Sequence, residues 1–489
     1  MASLDIAVIA LYLTATLAYG FWISRSQVTT KDYFLGARDL PAWAVLLSIV
    51  GTETSAITVI STPALGARGD LTFLQLPIGY LIGRIAVSAW LLPGYFRGDQ
   101  QTAYARLESR FGGPTRRAIS TIFLVTRFLG DSVRLFAGAI PLALMAGMSI
   151  PAAILTLGVV TLVYAFFGGL RAVVWADVVQ LLVYILGAAA ALVIAINMAG
   201  GFDSAWSAAD AAGKLRVFDF QFSLTSPYTF LGGLLGGAML SAASHGTDHL
   251  IVQRLLATRS LRDARIALVG SGVMVIAQFA LALLVGTAIW AANLAPADQP
   301  PDEIFGQFVL DYLPAGLAGL VVAGILSAVL SGVASSINAL ASSFTHDLYA
   351  SRTGERDEHK LLRIGKLVSA VWGLLLVTGA LGFHWFTTGS GTPAVVLALS
   401  IASVTYGALL GAYLLAGTGP RIEGRDVVRG AMATVLVMVT TLFAARLAEA
   451  GLTFLTPLGN LAWPWYVPMG TAITVMVAWL SSRTRPATT

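Results

Sequence analysis

Two polar segments interrupt long apolar runs of this chain and carry oxygen atoms suited to binding a small cation. The first reads Ser48-Ile-Val-Gly-Thr-Glu53-Thr-Ser-Ala-Ile-Thr58, and its Gly, Thr and Ser residues make a poor helix centre. A helix that breaks at membrane depth exposes backbone carbonyls, which are ligands for Na⁺. The segment therefore predicts a discontinuous helix at an ion site. Close packing of its small residues against a neighbouring helix is the alternative.

The second segment contains three serines at four-residue intervals, Ser327, Ser331 and Ser335. Residues spaced by four share one face of a helix. A row of hydroxyls opposite a broken helix supplies the hard oxygen ligands that a small cation prefers. Tight packing through small residues is again the alternative.

Charged and titratable residues within the apolar runs form a short list. A charge near the bilayer centre is costly, so each one is a candidate for function. The residues are Glu53, Arg84, Arg127, Asp131, Arg134, Asp177, His245, Asp248 and His249.

Three interpretations follow for these charges. Asp131 and Arg134 are three residues apart and are expected to pair, unless Arg134 instead binds a substrate carboxylate with its two-pronged guanidinium. Arg84 is an alternative partner for Glu53. Asp177 is either an interfacial acid neutralised by Arg171 or part of a second cation site.

His245, Asp248 and His249 resemble a zinc-binding helix face, because the two histidines are four residues apart. This makes a membrane metalloenzyme an alternative function. No third histidine lies nearby, and the general-base Glu of the zinc-protease pattern is missing. Contacts to a substrate or a gate from an unwound helix are therefore the favoured interpretation.

The composition places these residues in a membrane protein. The chain has 489 residues, of which 57% are hydrophobic and 11% charged, against about 25% charged in soluble domains. It has no cysteine, which excludes disulfides and thiol chemistry, and its net charge of +5 is spread over short loops rather than gathered for nucleic acid. A bilayer core of about 30 Å needs roughly 20 apolar residues per helix. We therefore predict an all-α polytopic protein with about 13 transmembrane helices, at 3–24, 41–66, 72–96, 118–146, 150–168, 173–199, 230–255, 264–293, 313–345, 362–383, 393–416, 428–447 and 462–481.

Lys and Arg residues predict the orientation, because they concentrate in cytoplasmic loops. With the N-terminus outside, 23 of the 30 lie in inner loops, Arg254 among them, four lie in outer loops and three lie within spans. No Lys or Arg precedes the first apolar run and no small-residue cleavage site follows it, so we expect a retained helix rather than a signal peptide.

Four segments between residues 31 and 349 together resemble the sodium/solute symporter family, which includes sodium/glucose, proline, sialic acid, iodide and multivitamin cotransporters. Each segment alone is modest evidence for the family, but the presence of all four segments in this order is highly specific to it. They are Asp32-Tyr-Phe-Leu-Gly-Ala-Arg38, the stretch from Tyr164 through Gly168-Gly-Leu-Arg-Ala-Val-Val-Trp-Ala-Asp177 to Gln180, Thr247-Asp-His-Leu-Ile-Val-Gln253-Arg254, and Ser331 to Tyr349 ending Phe344-Thr-His-Asp347-Leu-Tyr349.

The resemblance implies a LeuT-type fold, in which one helix precedes a ten-helix core of two inverted five-helix repeats and two helices follow. The predicted spans divide in the same way. The extra helix falls in 1–30, the repeats in 41–199 and 230–416, and the two last helices in 428–481, with the C-terminus cytoplasmic. Because five is odd, the second repeat must enter the membrane from the opposite side.

The resemblance also implies a sodium site between the first and eighth core helices. Its ligands would be the carbonyls of Gly51, Thr54 and Ala328 and the hydroxyl of Ser331. At the next position the family usually has another hydroxyl residue, whereas this chain has Gly332, so Thr54, Ser335 or a water would have to replace the missing ligand. Some relatives bind a second sodium at the acid matching Asp177 and at serines near Ser331 and Ser335. One expected serine is Ala334 here.

The resemblance implies a substrate site between core helices one, two, three, six and ten, and seven residues are candidates to line it. They are Glu53, Thr58, Gln75, Arg134, Ser244, Thr247 and His249. The polar set that binds sugar in glucose cotransporters is not reproduced, and Arg134 suggests a small carboxylate or zwitterion.

The sequence thus predicts a sodium-coupled symporter of the plasma membrane, in bacteria the inner membrane, working by alternating access with Na⁺ as coupling ion and without an organic cofactor. Glu53 and Gly332 leave open a proton-coupled or uncoupled carrier on the same fold. A sensor is a further alternative. The tail after residue 481 is too short for a signalling module, which argues against a sensor.

Overall fold

The computed structural model describes residues 3–24, 29–98, 100–387, 394–419 and 421–484. Within these ranges all regular structure is helical, apart from an isolated parallel bridge between Leu40 and Thr258. The α-helices are α1 (Ser3–Ser24), α2 (Thr30–Leu35), α3 (Ala42–Glu53), α4 (Ala56–Arg68), α5 (Gln75–Ala86), α6 (Leu92–Tyr95), α7 (Ala105–Phe111), α8 (Gly113–Ala146), α9 (Ile150–Met198), α10 (Phe202–Ala211), α11 (Gly237–Gly246), α12 (His249–Leu256), α13 (Leu261–Ala291), α14 (Pro301–Tyr312), α15 (Leu317–Ser343), α16 (Ser351–Thr353), α17 (Glu358–Thr387), α18 (Ala394–Ala416), α19 (Gly424–Glu449), α20 (Thr456–Gly459) and α21 (Tyr466–Arg483). Short 3₁₀ turns occupy Gly36–Arg38, Thr72–Leu74, Thr453–Leu455 and Trp463–Trp465, and π-helical turns occupy Val87–Leu91, Gly232–Gly236 and Phe344–Ala350.

The predicted interruption of the first core helix is confirmed. Helix α3 ends at Glu53, and Ser55 caps the start of α4 by accepting a hydrogen bond from the amide of Thr58 at 3.3 Å. The axes of the two halves differ by 67°. The carbonyls at the end of α3 therefore lie at a break inside the apolar region.

A second interruption separates α11 from α12, as the polar stretch Ser244–His249 predicts. Thr247 leaves the helical conformation, and Asp248 caps α12 by accepting a hydrogen bond from the amide of Leu250 at 2.9 Å. The carboxylate of Asp248 thus has a structural use at the start of this helix.

The apolar runs 150–168 and 173–199, predicted as two spans, are joined in α9. A straight helix of 49 residues would measure about 74 Å, more than twice the bilayer core. Gly169 interrupts it with φ 56° and ψ −171°, a conformation that glycine adopts without strain. The Tyr33 hydroxyl donates to the carbonyl of Ala165 at 3.0 Å, where the interruption begins to free carbonyls.

Helix α15 lies at the centre of the molecule. In its most apolar stretch of 18 residues, 89% of residues are buried, whereas the corresponding stretches of the other long apolar helices are 28–44% buried. The serines of α15 therefore face protein on all sides and not lipid, which is the position required of a ligand-bearing helix.

Glycines bring neighbouring helices into backbone contact. A Cβ placed on Gly286 of α13 would lie 1.7 Å from the carbonyl oxygen of Pro63 in α4, and one on Gly79 of α5 would lie 2.3 Å from that of Gly233. This close approach is typical of helices packed in lipid. It fixes the second half of the broken helix, α4, against α13.

Among the described residues, six helices are long and apolar enough to span a membrane, and eight if each of two bent pairs counts as one span. One of the six is α9, which contains two predicted spans. Helix α8 is not among the six, and it carries the charges Arg127, Asp131 and Arg134. The chain is thus a multi-pass membrane protein. The number thirteen and the five-plus-five arrangement remain predictions.

Candidate functional site

The carboxylate of Asp177 is the centre of a fully buried polar cluster. Ser331 of α15 donates to its Oδ1, while Ser48 and Thr52 of α3 donate to its Oδ2 at 2.5 and 3.2 Å. The backbone of Gly51 approaches so closely that a Cβ there would lie 2.9 Å from the Asp177 carbonyl oxygen. Asp177 therefore joins α9 to both helices expected to hold sodium.

The guanidinium of Arg254 is the cation that neutralises Asp177. It is fully buried, with Nη2 at 3.0 Å from Asp177 Oδ2 and 2.6 Å from Ser335 Oγ, and with Nε at 2.9 Å from Ser48 Oγ. This corrects one expectation, because Arg254 was counted among inner-loop charges, and it gives Asp177 a partner other than Arg171, which was one of two alternatives for it. A buried carboxylate needs a buried counter-charge, and α12 supplies it.

The structure brings some of the residues of the expected sodium site together. Gly51 and Ser331 both lie against Asp177, and α3 breaks at Thr54. The Thr54 hydroxyl is already held by Gln278 Nε2 at 2.6 Å and donates to the Val50 carbonyl at 2.7 Å. Its backbone carbonyl remains the expected ligand, like that of Ala328 one turn before Gly332.

Both side chains expected to replace the hydroxyl missing at Gly332 already have hydrogen-bond partners. The Thr54 hydroxyl is engaged as described, and the Ser335 hydroxyl accepts from Arg254 while donating to the Ser331 carbonyl at 2.7 Å. Instead, the side chain of Arg134 lies beside Gly332, where a Cβ would be 3.7 Å from its Nη1.

Glu53 forms a second charged cluster at the break. Arg84, fully buried on α5, donates to both carboxylate oxygens at 2.6 Å and to Ser271 Oγ at 2.6 Å. His245 Nε2 lies 2.9 Å from Glu53 Oε1, and Ser244 Oγ lies 2.8 Å from His245 Nδ1. The predicted pairing of Arg84 with Glu53 is confirmed, and the Glu53 side chain keeps 24% exposure.

A chain of alternating charges links α8 to α12 and α18. Asp131 lies 3.3 Å from Arg134 and 3.7 Å from Arg127, and Arg127 pairs in turn with Asp248. Tyr406 donates to Asp248 at 3.0 Å. The expected Asp131–Arg134 pair is present, and the Arg134 side chain is the most exposed of these charges at 25%.

Four other residues expected to line the substrate site differ in what they contact. Thr58 lies at the break, 3.0 Å from the Ser55 hydroxyl. The Thr247 hydroxyl donates to the Ala243 carbonyl, and Gln75 holds the loop before α11 through Tyr228 and Asp219. His249 packs under residues 102–104, with Nε2 at 3.0 Å from Ser342 Oγ and Nδ1 accepting from the Ala103 amide. Gln75 and His249 therefore have structural partners in place of the expected open face.

The zinc-like arrangement of His245, Asp248 and His249 is not a metal centre. His245 faces Glu53, Asp248 faces Arg127, and His249 faces Ser342. Across the described ranges, no group of three or more His, Cys, Asp or Glu side chains converges on one point. The break between α11 and α12 separates the two histidines, which the spacing of an unbroken helix would place together.

The end of the molecule that carries Arg106, Arg110, Arg116 and Arg117 is called the arginine-rich end here. A further network holds it together, formed by Thr102, Glu108, Arg116 and Asp347. Asp347 is fully buried and accepts from Thr102 Oγ1 at 2.5 Å and from Arg116 Nε at 2.7 Å. Arg116 also pairs with Glu108 at 2.6 Å. The network ties the segment before α7 to the π-helical end of α15.

A broken span opposite a central hydroxyl-bearing helix, inside a multi-pass helical protein, is the arrangement with which many membrane transporters hold ions near the middle of the bilayer. The comparisons with known proteins agree. The sodium:solute symporter family matches residues 33–384, and the chain belongs to that family. Its relatives are transporters and not enzymes.

Three relatives show the range of cargo within the family. The human sodium/iodide cotransporter is 28% identical over 87% of this chain and 67% of its own length. The Danio rerio sodium-coupled monocarboxylate transporter 2 is 28% identical over 80% of this chain and 63% of its own length. The sodium/sialic acid symporter NanT of Aliivibrio fischeri is 28% identical over 76% of this chain and 74% of its own length. The chain thus spans about two thirds of the length of the first two relatives.

Solved structures support the fold. A sodium-coupled sialic acid symporter in a substrate-bound outward-open state superposes with a TM-score of 0.84 at 23% identity, covering 99% of this chain and 98% of its own. A nucleobase-cation-symport-1 family transporter in a closed conformation gives a TM-score of 0.55 at 16% identity, covering 93% of this chain and 95% of its own. These likenesses concern the fold alone.

Proposed function

We propose that this protein is a sodium-coupled symporter that imports a small organic anion by alternating access. The observation that carries the proposal is the contact between the broken first helix and Ser331 through Asp177. In this contact, hydroxyls of α3 and α15, those of Ser48, Thr52 and Ser331, donate to one buried carboxylate next to the break. Oxygen ligands from both helices are what a desolvated sodium ion requires.

The balance of buried charges supports an anionic solute. Four acids, Glu53, Asp131, Asp177 and Asp248, are matched by four arginines, Arg84, Arg127, Arg134 and Arg254. A sodium ion entering this neutral region adds an uncompensated charge at high cost. A solute anion entering with it restores neutrality, which couples the two binding events.

Arg134 is the residue we assign to the solute anion. Its guanidinium is partly exposed and lies beside Gly332, one residue from the expected sodium ligand Ser331. Its partner Asp131 lies 3.3 Å from Arg134 and 3.7 Å from Arg127. A carboxylate is the chemical group that a guanidinium binds through two parallel hydrogen bonds.

In the proposed cycle, sodium binding fixes the ends of α3 and α4 against α15 and favours the outward-open form. The solute binds better to this form, and joint occupancy permits the bundle to rock. Coupling requires that both ligands distinguish the two forms by their affinities. The arginine-rich end would open to release them on the predicted cytoplasmic side.

Uptake into proteoliposomes tests this proposal. Monocarboxylates, sialic acid and iodide, the cargo named for the relatives, are offered under a sodium gradient, a potassium gradient or a pH gradient. We expect uptake of an organic anion only under the sodium gradient. Sodium-independent uptake of every accepted solute would refute the proposal.

A proton-coupled carrier is the second candidate, favoured by the 2.9 Å contact between His245 and Glu53. Two titratable groups at the break offer a place for a transferred proton. The pH-gradient arm of the same experiment separates the candidates, because a proton-coupled carrier would retain uptake when potassium replaces sodium.

A further inference from the structure

A row of exposed apolar side chains lies on the segment between α10 and the π-helical turn Gly232–Gly236. Its members, called the aromatic strip here, are between 46% and 73% exposed and are Phe218, Phe220, Phe222 and Leu224. The rings of Phe218 and Phe220 are stacked, with centroids 5.9 Å apart and planes at 18°. A contiguous exposed apolar patch of this kind marks an interaction surface.

The backbone of this segment is fixed to the rest of the protein at both ends of the strip. The Asp219 amide donates to Gln75 Oε1 at 3.0 Å, at the start of α5. The carbonyl of Leu224 accepts from the Ala462 amide at 2.8 Å, shortly before α21. The exposed rings are therefore presented by a held backbone, which lets the protein set their position.

The strip lies beside the first residues of two predicted spans. The ring centroid of Phe220 is 5.0 Å from that of Phe230, where the span 230–255 is predicted to begin. The ring of Phe222 lies 6.3 Å from that of Trp465, directly before α21. Because the ends of spans lie at the boundary between hydrocarbon and water, the strip has the depth at which aromatic belts occur.

The strip also continues a surface that faces lipid. Leu231 and Leu235 are four residues apart on the helix that begins at Phe230, and they are 41% and 48% exposed on one face of this predicted span. Phe230 is the residue against which Phe220 packs. The apolar surface thus extends without interruption from the side of the span to the strip.

The size of the strip argues against a protein partner. Three partly exposed rings and one leucine present roughly 400–500 Å² of apolar surface. Each partner in a stable protein interface contributes about 800 Å². A second copy of the chain would therefore find too little area here, whereas insertion into lipid requires no minimum area.

We propose that the aromatic strip inserts into the interfacial layer of the bilayer, where its rings contact lipid headgroups and the adjoining acyl carbons. Since Gln75 binds the backbone of the same segment, the inserted strip holds the start of α5 at the level of the membrane surface. This role requires neither sodium nor the solute.

Fluorescence quenching in phosphatidylcholine nanodiscs tests the proposal on the full-length chain. The chain has no cysteine, so Phe220→Cys and Phe222→Cys can each carry a single bimane label. Phosphatidylcholine with a spin label near its headgroup should quench both labels several-fold more than a label on Ser226→Cys, the exposed control two residues beyond the strip. Acrylamide dissolved in the water should quench the three labels in the reverse order.

Two outcomes would overturn the proposal. The first is spin-labelled lipid quenching that is no stronger at Phe220→Cys and Phe222→Cys than at Ser226→Cys. The second is protection from acrylamide without quenching by the lipid, because a second copy or another part of this chain would then cover the strip. Thermal unfolding identifies a variant that fails to fold, and the other strip variant then decides. None of these results depends on sodium coupling, which the uptake experiment tests separately.

Discussion

Ser331 donates a hydrogen bond to Oδ1 of Asp177, which ties the hydroxyl expected at the sodium ion to a fully buried carboxylate. Because the hydroxyl hydrogen points to Asp177, the oxygen lone pairs of Ser331 are left to face a cation. In the proposed sodium site, the carboxylate would therefore orient and polarise this hydroxyl.

Replacing Ser331 with Ala should weaken sodium binding by about tenfold or more, since one of few ligands is lost. Half-saturation in ²²Na⁺ binding measures the change. Ser336→Ala is the matched control, because Ser336 is equally buried on the same helix and its hydroxyl contacts no hydrogen-bond partner among the described residues. Equal sodium affinities in the two variants would contradict this assignment.

Gly332→Ser should strengthen sodium binding several-fold by restoring the hydroxyl that this chain lacks. The substitution fits, because a Cβ there would meet nothing closer than Arg134, at an ordinary contact distance of 3.7 Å. Gly332→Ala adds the same carbon without oxygen and should leave sodium affinity unchanged. If Ser and Ala behave alike in ²²Na⁺ binding, the position does not contact the ion.

Glu53→Gln should reduce sodium-driven uptake more than tenfold while most of the protein still folds. Loss of one partner from a buried ion pair costs about 3–5 kcal/mol, and less here because the Glu53 side chain is 24% exposed. Uptake of the solute identified in the proteoliposome experiment and the unfolding temperature are measured together. The control is Glu423→Gln, on an exposed pair with Arg425. Wild-type uptake by Glu53→Gln would make this carboxylate structural.

Asp347→Asn should loosen the arginine-rich end and shift the protein toward a form open on that side, because Arg116 and Thr102 lose their charged acceptor. The chain has no cysteine, so one introduced in place of the buried Ser342 reports the change by maleimide labelling. We expect labelling several-fold faster than in the Ser342→Cys parent. An Asp357→Asn control on the exposed surface should not change it, and equal rates in all three would tell against a gate here.

Gly286→Ala should impair folding by about 1–3 kcal/mol, since the new methyl group would force α13 away from the Pro63 carbonyl. Yield of monodisperse protein and its unfolding temperature measure the effect. Gly306→Ala on α14 is the control, because a Cβ there meets nothing within 4 Å and the substitution should be neutral. Normal yield and stability of Gly286→Ala would show that the two helices are not fixed in contact.

Local chemistry made the breaks predictable from the sequence. Gly, Ser and Thr around Glu53, and the polar stretch before His249, weaken a helix wherever it lies in the fold. Hydrophobic run length likewise predicted the membrane class. The pairing of Glu53 with Arg84 followed from the cost of an isolated buried charge, although Asp131 and Arg134 required only their spacing on one helix.

Arg254 was missed because its surroundings depend on contacts between distant parts of the chain. It stands 77 residues from Asp177 and 81 from Ser335, next to a run of loop arginines, and charge counting places it with them. The available signal was its position after Gln253 within an otherwise apolar helix, where burial of one face is expected. Tyr406, which meets Asp248 from 158 residues away, gave no comparable signal.

The ion pairs of Glu53, Asp131, Asp177 and Asp248 with arginines leave the buried charges of this protein balanced. If the proposed carrier moves one sodium with one monovalent anion, no net charge crosses the bilayer, and the membrane voltage, about 2.3 kcal/mol per charge at 100 mV, performs no work on the loaded carrier. The solute gradient would then rise only as far as the sodium gradient itself, and a cell would change its intracellular pool by adjusting sodium rather than by polarising its membrane.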